Sequence, residues 1–435
     1  MTAADDRRSR PPPEPATQAR SEGPEPIRIA RPAAPEAAGR ATTFQDLGSA
    51  RGLTSDDPAT ELARLEQAVK RERANPSLWF SLAGVLRKLD RAEEEMTALE
   101  TVLAIQPGNL QALLQVASLH EVRGDSRTAA AAYRAALRSI RPGAPIPAVL
   151  RPMLDHGAAT IAANDRALEI FLEQQLGKVR ERHKDEPLGR FDKSLATLLR
   201  KRRVYRPTPT FLYFPYLPAL EFYDHEDFPW LASIEAETDA IRGELMSVLA
   251  DGPETLRPYV TTEKTPGVTT QKPAADEWRE LSESPRWGVY FFWQEGVAYP
   301  EHIARCPRTA AALEACPRCD LPRTAPTAMF SVLDAKTRIP PHSGVTNARL
   351  IVHLPLIVPD NCGFRVGAET REWRPGTALV FDDSIEHEAW NQGDQARAVL
   401  IFDIWNPFLT LAERDLVRTL NAGVGEYYGS LPTYV

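Results

Sequence analysis

The fold is decided by the stretch Val380-Phe-Asp-Asp-Ser-Ile-Glu-His387, which leads through Asn391-Gln-Gly-Asp394 into Arg397-Ala-Val-Leu-Ile-Phe-Asp-Ile-Trp405. The outer two segments are rich in β-branched and aromatic residues, which favour strands. The middle segment has the Asn, Gly and Asp that favour a turn. The sequence therefore predicts short strands joined by a turn.

Runs of the same kind occupy most of residues 328–405. They are Ala328–Ala335, Arg349–Val358, Gly363–Val366, Glu369–Trp373, Ala378–Asp382, His387–Trp390 and Arg397–Trp405. Short strands with turns about every 8–12 residues are typical of a β-sandwich or barrel. Upstream, residues 231–250 predict one amphipathic helix, and the rest of the C-terminal half is predicted to form short strands.

Two histidines fall at the edges of these strands, His342 in Pro340-Pro-His-Ser-Gly344 and His387, which lies 45 residues later. In a double-stranded β-helix an early and a late strand lie side by side, so the pair can meet at the barrel mouth. Neutral imidazoles suit a borderline divalent metal such as iron(II). Iron(II) oxygenases usually add a carboxylate two residues after the first histidine, and here that position is Gly344.

Arg397 lies on the last long strand, and an arginine that points into a barrel is costly unless it meets an anion. Its planar guanidinium fits a carboxylate with two parallel hydrogen bonds, as for the distal carboxylate of 2-oxoglutarate. Alternation predicts that Ser331 and His353 face the same interior, where each could hydrogen-bond an oxoacid.

The sequence around these residues resembles the aspartyl/asparaginyl β-hydroxylase family over roughly residues 210–410. The segments that carry the resemblance are Phe330-Ser-Val-Leu333, His342-Ser-Gly-Val-Thr-Asn-Ala-Arg-Leu350, Val352-His-Leu354, Glu369-Thr-Arg-Glu-Trp373, Val380-Phe-Asp-Asp-Ser-Ile-Glu-His-Glu388, Phe402-Asp-Ile-Trp-Asn-Pro407, Trp293-Gln-Glu-Gly296 and Phe228-Pro-Trp230. The family consists of 2-oxoglutarate dioxygenases with a double-stranded β-helix (jelly-roll, cupin-like) fold. Its metal site has two histidines and a glycine in place of the carboxylate, as at Gly344.

The resemblance implies that His342 and His387 bind Fe(II). It also implies a role for each neighbouring polar residue: Ser331 and Arg397 would hold the distal carboxylate of the cosubstrate 2-oxoglutarate, His353 would assist at its keto-acid end, Asp383 would lie near a metal-bound water, and Arg349 would face an acidic substrate group.

The implied reaction consumes molecular oxygen and hydroxylates an unactivated carbon, with the β-carbon of Asp or Asn in a peptide or protein as the expected substrate. Two departures bear on that substrate, because the animal enzymes have an arginine at the position of Ile351 and a lysine at that of Met329. A small molecule or a lipid acyl chain is the alternative substrate, since bacterial relatives hydroxylate lipids. The alternative that is not an enzyme is a catalytically idle scaffold protein whose repeats recruit partners.

The chain is predicted to be multidomain, with an α-helical solenoid ahead of the β domain. Residues 1–55 read as a disordered Pro/Ala/Arg-rich tail, and residues 56–182 show a repeat of about 34 residues that resembles the tetratricopeptide repeat. Asp90 and Gly124 fall where each unit must turn between its helices. Residues 183–208 are predicted to be a linker and residues 209–435 the dioxygenase domain. The repeats could bind the peptide or protein substrate.

Composition narrows the other possibilities. The net charge of −7 comes without a basic stripe, which argues against a nucleic-acid partner. No window of the sequence reaches 18 apolar residues, and the first residues lack a secretory signal, so a cytoplasmic protein without a membrane span is expected.

Cys316-Pro-Arg-Cys319 predicts reduced thiols, with a zinc site or a local disulfide as alternatives. His225 and His302 are expected at the surface, and His120 and His156 at packing or surface positions.

Overall fold

The computed structural model describes residues 57–261 and 278–429. The chain divides into two compact units, of which the first ends at Leu188 and the second begins at Gly189. The predicted disordered tail of residues 1–55 lies outside the described residues.

The described part of the first unit is helical. Its α-helices are α1 (Pro58–Arg71), α2 (Pro76–Lys88), α3 (Ala92–Ile105), α4 (Leu110–Val122), α5 (Ser126–Ser139) and α6 (Arg151–Arg182). Four of them begin at an Asp or Asn whose side chain accepts a hydrogen bond from the first turn, which satisfies backbone N–H groups that lack a helical partner. These capping residues are Asp57, Asn75, Asn109 and Asp125.

The structure places turns at both positions that the repeat predicts. Asp90 lies between α2 and α3 with φ 56°, and Gly124 lies between α4 and α5 with φ 75°. Both angles are in the left-handed region, which glycine enters freely and Asp more readily than most residues. The assignment to the tetratricopeptide repeat itself stays a prediction.

The repeat pattern coincides with burial. Two pairs of positions 34 residues apart are buried in the core of the first unit, namely Leu82 and Ala83 of α2 and their equivalents Val116 and Ala117 of α4. Nearby, His156 lies 2.9 Å from Glu121 and packs edge-on against Tyr133. His156 therefore has the packing position expected from the sequence.

The second unit contains two antiparallel sheets. Its strands are β1 (Phe222–Tyr223), β2 (Arg257–Pro258), β3 (Trp287–Gln294), β4 (Val297–Ala298), β5 (Ala328–Leu333), β6 (Thr337–His342), β7 (Arg349–Ile357), β8 (Cys362–Val366), β9 (Glu369–Arg371), β10 (Leu379–Phe381), β11 (His387–Asn391) and β12 (Arg397–Trp405). The larger sheet has the order β1-β10-β7-β12-β5-β3-β2, with β4 on β3, and the smaller has the order β6-β11-β8-β9. The predicted β domain is confirmed.

The chain alternates between the two sheets from β5 to β12. It places β5, β7, β10 and β12 in the larger sheet and β6, β8, β9 and β11 in the smaller one. This winding is that of a jelly roll, in which early and late strands become neighbours. As a result β11 pairs with β6, and the residue opposite His387 is His342.

The larger sheet is covered on both faces. Its inner face packs against the smaller sheet, where Leu333 and Val399 share a core with Ile339, Phe364 and Ala389. Its outer face packs against the helices α8 (Leu231–Ala236), α9 (Thr238–Leu249) and α11 (Pro307–Glu314), as the shared core of Leu245, Leu313, Phe330 and Val352 shows. A sheet buried on both faces offers a rigid platform for side chains that reach into the space between the sheets.

Two sequence-based assignments of secondary structure were wrong. The single helix predicted over residues 231–250 is two helices, because the chain turns at Glu237. The rest of the C-terminal half is not all strand: it also contains α10 (Pro300–Arg305), α11 and α12 (Leu411–Tyr428). The stretch predicted as a linker contains α7 (Gly189–Leu198). Among the described helices, none has the length and apolar character needed to cross a membrane.

Candidate active site

A cavity of about 170 Å³ opens between the two sheets. It is lined by residues of one face of the larger sheet, because side chains alternate along a strand. Arg397, Ile401 and Asp403 come from β12, Arg349, Ile351 and His353 from β7, and Met329 and Ser331 from β5. His342, His387 and Asp383 line the same cavity, so all seven sequence-predicted site residues are brought together.

The two histidines form the centre of the cavity. The ring centroids of His342 and His387 lie 4.1 Å apart. His342 Nδ1 donates to the carbonyl oxygen of Pro340 at 2.8 Å, and His387 Nδ1 donates to that of Ile385 at 3.0 Å. Because a carbonyl only accepts, each Nδ1 must carry the proton, and each Nε2 is left with its lone pair free to bind a metal.

The surroundings keep both rings neutral. Burial, with His387 as the next cause, lowers the pKa of His342 to about 3. Burial also lowers the pKa of His387 to about 4. Trp278 packs edge-on against His342, and Phe381 packs against His387. A neutral imidazole is the form that ligates a metal, so both rings can bind a divalent cation at neutral pH without first losing a proton.

The carboxyl group of Asp383 occupies the place of a side chain at position 344. A Cβ built on Gly344 would lie 2.1 Å from Asp383 Oδ2, and the backbone N–H of Gly344 donates to the carbonyl oxygen of Asp383 at 2.6 Å. The pKa of Asp383 is raised by burial, against the opposing charge of Arg349. The structure thus brings a carboxyl group to the histidine pair from another segment, and this requires glycine at position 344.

Arg397 is a buried cation at one end of the cavity. Its side chain is 1% exposed, and its guanidinium lies 4.6 Å from the ring centroid of Trp373. Neither Nε nor Nη1 has a hydrogen-bond partner among the described residues. Burial lowers the pKa of Arg397 to about 10, which leaves it charged at neutral pH. A buried charge with unsatisfied donors calls for an anion.

Ser331 and His353 complete that end. The Ser331 hydroxyl oxygen accepts a hydrogen bond from Trp287 Nε1 at 3.0 Å, which leaves its O–H free to donate. His353 Nδ1 is buried without a partner in the described part of the chain. Burial, then the charge of Arg397, lowers the pKa of His353 well below its usual range. Arg397, Ser331 and His353 could therefore hold a carboxylate and a neighbouring oxygen.

Arg349 lies at the opposite end and is already paired. Its Nη1 lies 2.8 Å from Asp403 Oδ2, and its Nη2 lies 3.6 Å from Asp383 Oδ2. Asp403 also accepts a hydrogen bond from the backbone N–H of Thr327 at 3.1 Å. Arg349 lines the cavity as expected, and its charge is compensated by two acids of its own chain, although its Nε is buried without a hydrogen-bond partner among the described residues.

Two acidic residues of the cavity were missed by the sequence reasoning, Asp403 and Glu295. Asp403 could have been found, because it lies six residues after Arg397 on the same strand and alternation places both on one face. Glu295 follows β3 in a turn with φ 52°, and its position gives no periodic signal. Burial raises the pKa of each carboxyl group to about 7.

Residues outside the cavity behave as structural elements. His302 is not at the surface as expected, because its ring stacks on Tyr290 at 3.8 Å and its Nδ1 donates to the carbonyl oxygen of Phe291. Cys316 and Cys319 are buried and not bonded to each other. No group of three or more His, Cys, Asp or Glu residues suited to a metal is found in residues 57–261 and 278–429.

Residues 235–407 match the family model described as aspartyl/asparaginyl β-hydroxylase. The ornithine lipid ester-linked acyl 2-hydroxylase of Rhizobium tropici is 36% identical over 188 residues, which are 42% of this chain and 60% of that relative. The aspartyl/asparaginyl β-hydroxylase of Homo sapiens is 36% identical over 135 residues, 31% of this chain and 18% of that relative. Aspartate β-hydroxylase domain-containing protein 2 of Mus musculus is 37% identical over 134 residues, 30% of this chain and 39% of that relative. The chain therefore spans less than two thirds of each of these relatives.

Proposed function

We propose that the chain is an iron(II)- and 2-oxoglutarate-dependent dioxygenase that hydroxylates an unactivated carbon, since residues 235–407 match the aspartyl/asparaginyl β-hydroxylase model and the relatives are named as hydroxylases. The observation that carries the proposal is Arg397, a buried cation whose Nε and Nη1 have no hydrogen-bond partner among the described residues, in the same cavity as two neutral histidines. A dicarboxylic oxoacid beside a divalent metal satisfies both requirements at once.

The residues present fit the metal. His342 Nε2 and His387 Nε2 would hold iron(II), since each ring is fixed through its other nitrogen. Asp383 Oδ1 is buried without a hydrogen-bond partner in the described chain and would accept a hydrogen bond from a water molecule on the metal. With 2-oxoglutarate bound, iron(II) supplies the activation of molecular oxygen that converts a C–H bond to C–OH, while the oxoacid becomes succinate and carbon dioxide.

The residues present also fit the oxoacid. Arg397 and the Ser331 hydroxyl would hold its distal carboxylate, and His353 would donate or accept a hydrogen bond nearer the metal. The aromatic side chains of Trp278, Trp287 and Phe364 line the cavity and exclude water from it. The contribution of the chain is therefore to bind, to orient and to keep the reacting centre dry.

Two substrate classes share this chemistry. An Asp or Asn residue of a polypeptide is the substrate that the sequence predicts and that the names of the animal relatives indicate, and the helical unit would then bind the polypeptide. An acyl chain is the second candidate, favoured by the name of the Rhizobium tropici relative and by Ile351 and Met329 on the wall of the cavity.

The test is to add iron(II) and 2-oxoglutarate to the purified chain without oxygen and to record the visible charge-transfer band. We expect the band in the wild type and in His302→Ala, a histidine that packs outside the cavity. We expect none in His342→Ala or His387→Ala. On admitting oxygen, succinate should form in the presence of a substrate that gains one oxygen atom by mass.

A protein that gives neither the band nor oxygen-dependent succinate with peptide or lipid substrates would contradict the proposal. That outcome would leave the scaffold as the function of the chain.

A further inference from the structure

The cavity has a second end with different chemistry from the Arg397 end. Arg397 and Asp403 are six residues apart on β12, which separates them by about 20 Å at about 3.3 Å per residue. The pairing of strands places Asp403 opposite Ile351, and Ile401 opposite both His353 and Met329. An oxoacid anchored at Arg397 therefore leaves the Asp403 end for the substrate.

That second end is acidic. Of the described residues that line the cavity, Arg349 and Arg397 are the permanently charged cations, whereas Glu295, Asp383 and Asp403 are carboxylic acids. Arg349 lies against two of these acids. The carboxyl group of Glu295 has no ion pair in the described chain, and its Oε1 is buried without a partner. A substrate carboxylate would thus find here only a cation that already lies against two acids, whereas a hydrogen-bond donor would find the Oε1 of Glu295 without a partner in the described chain.

The wall between the two ends is apolar. Met329, Ile351 and Ile401 lie on neighbouring strands of the inner face, and Met329 packs in one cluster with Phe291 and Tyr259. Such a surface lowers the free energy of a bound aliphatic chain by about 25 cal/mol for each Å² that it removes from water. It offers a carboxylate neither a hydrogen bond nor a charge.

We infer that the substrate bears an aliphatic chain with an N–H or ammonium group near the carbon to be hydroxylated, and no carboxylate there. The chain lies on Met329, Ile351 and Ile401, and the nitrogen donates to Glu295. Asp403 and Asp383 lie against the two Nη atoms of Arg349 and offset its charge, which weakens its attraction for a substrate carboxylate. The inference rests on the proposed function, whose oxoacid end it leaves unchanged.

The test uses three probes of equal chain length, namely octylamine, octanamide and octanoate. Each is titrated by calorimetry into the full chain loaded with manganese(II) and 2-oxoglutarate, so that no turnover occurs. We expect the amine and the amide to bind at least about tenfold more tightly than the carboxylate, a difference of about 1.4 kcal/mol. Equal or tighter binding of octanoate would overturn the inference, and so would a failure of all three probes to bind.

Variants locate the effect. Ile351→Arg places a cation on the apolar wall and should reverse the preference in favour of octanoate. Val297→Arg adds the same charge at an exposed position of β4 and should change nothing. Glu295→Gln should weaken octylamine about fivefold or more and spare octanamide, because a glutamine oxygen still accepts from an amide but has no charge.

The titration of 2-oxoglutarate itself separates the two proposals. If the manganese-loaded protein does not bind the oxoacid, the proposed function fails. If the oxoacid binds and octanoate is still preferred, only the inference about the substrate fails.

Discussion

Arg397 holds a positive charge in a position where the folded chain provides no described anion. Replacing it with Met should weaken 2-oxoglutarate binding by about 100-fold or more, because an ion pair with two hydrogen bonds is lost. Lys should restore only part of the affinity, since it lacks the planar fork. Calorimetry on the manganese-loaded protein measures both, with Arg338→Met, an exposed arginine of β6, as the control.

In the protein without ligands, Arg397→Met is not expected to be harmful: it should leave thermal stability unchanged or raise it. Because the methionine removes an unpaired buried charge, the thermal midpoint of the Arg397→Met protein should equal or exceed that of the wild type. A marked loss of stability would show instead that Arg397 has a structural partner in the folded chain.

The Asp383 carboxyl group occupies the space that a side chain at position 344 would need. Gly344→Ala should cost roughly 1–3 kcal/mol of unfolding free energy, because its Cβ would overlap the Asp383 carboxyl group. In an Asp383→Ala background the overlap disappears, so the same substitution should cost much less. Urea unfolding of the four proteins gives the coupling energy. Strictly additive effects would contradict the close approach.

At the scale of elements, the Asn391 side chain connects the end of β11 to two turns by hydrogen bonds, one after β5 and one between β11 and β12. Its Nδ2 lies within 3.0 Å of the carbonyl oxygens of Leu333, Asp334 and Gln395, which share its two N–H groups, and its Oδ1 accepts from the backbone N–H of Gly393. Asn391→Leu should therefore lower the unfolding free energy by about 3 kcal/mol or more, since several buried groups lose their partners.

Chemical denaturation checks this expectation, and Gln395→Leu, at an exposed position of the neighbouring turn, is the control. A loss of less than about 1 kcal/mol would mean that water replaces Asn391 at these carbonyls.

The long strands were predictable and some short elements were not. β7 and β12 are continuous apolar runs, as strands buried on both faces should be, and the sequence placed them within one residue. β6 was missed because Pro340 and Pro341 break its pattern and withhold two backbone donors. α10 and α11 were missed because each is short and begins at a proline that reads equally well as a turn.

The site was predictable as a set of residues but not as a set of contacts. His342, His387, Arg397, Ser331 and His353 follow from motif and alternation. The pairing of Arg349 with Asp403 does not, because it depends on the register between β7 and β12, which the sequence does not state. The overlap of Asp383 with position 344 is likewise a property of two segments that meet only in the folded chain.

At the scale of the whole molecule, the two units have separate described cores and should respond differently to ligands. Iron(II) and 2-oxoglutarate, each at 100 times its dissociation constant, should stabilise the second unit by about 2.7 kcal/mol per ligand, or about 5.4 kcal/mol together. The first unit contains Trp79 and the other seven tryptophans lie in the second. Anaerobic melts followed by tryptophan fluorescence should therefore shift upward. Because both units contain helices, the helical circular dichroism should separate into a part that shifts with the second unit and a larger part, from the first unit, that stays in place.

His387→Ala should abolish the fluorescence shift and leave the helical transition in place. An equal shift of both signals by the ligands would contradict separate responses of the two units.

β12 carries Arg397, the proposed anchor of the oxoacid, at one end and Asp403, which pairs with Arg349, at the other. A strand is a stiff spacer, so a replacement at residue 401 or 403 leaves the position of Arg397 unchanged. Under the proposed function, substitutions at the Asp403 end of β12 could therefore change the preferred substrate while the oxoacid site at Arg397 stays the same. The relatives that this chain resembles include one named as a lipid hydroxylase and one named as an aspartyl hydroxylase, and such an arrangement permits that diversity.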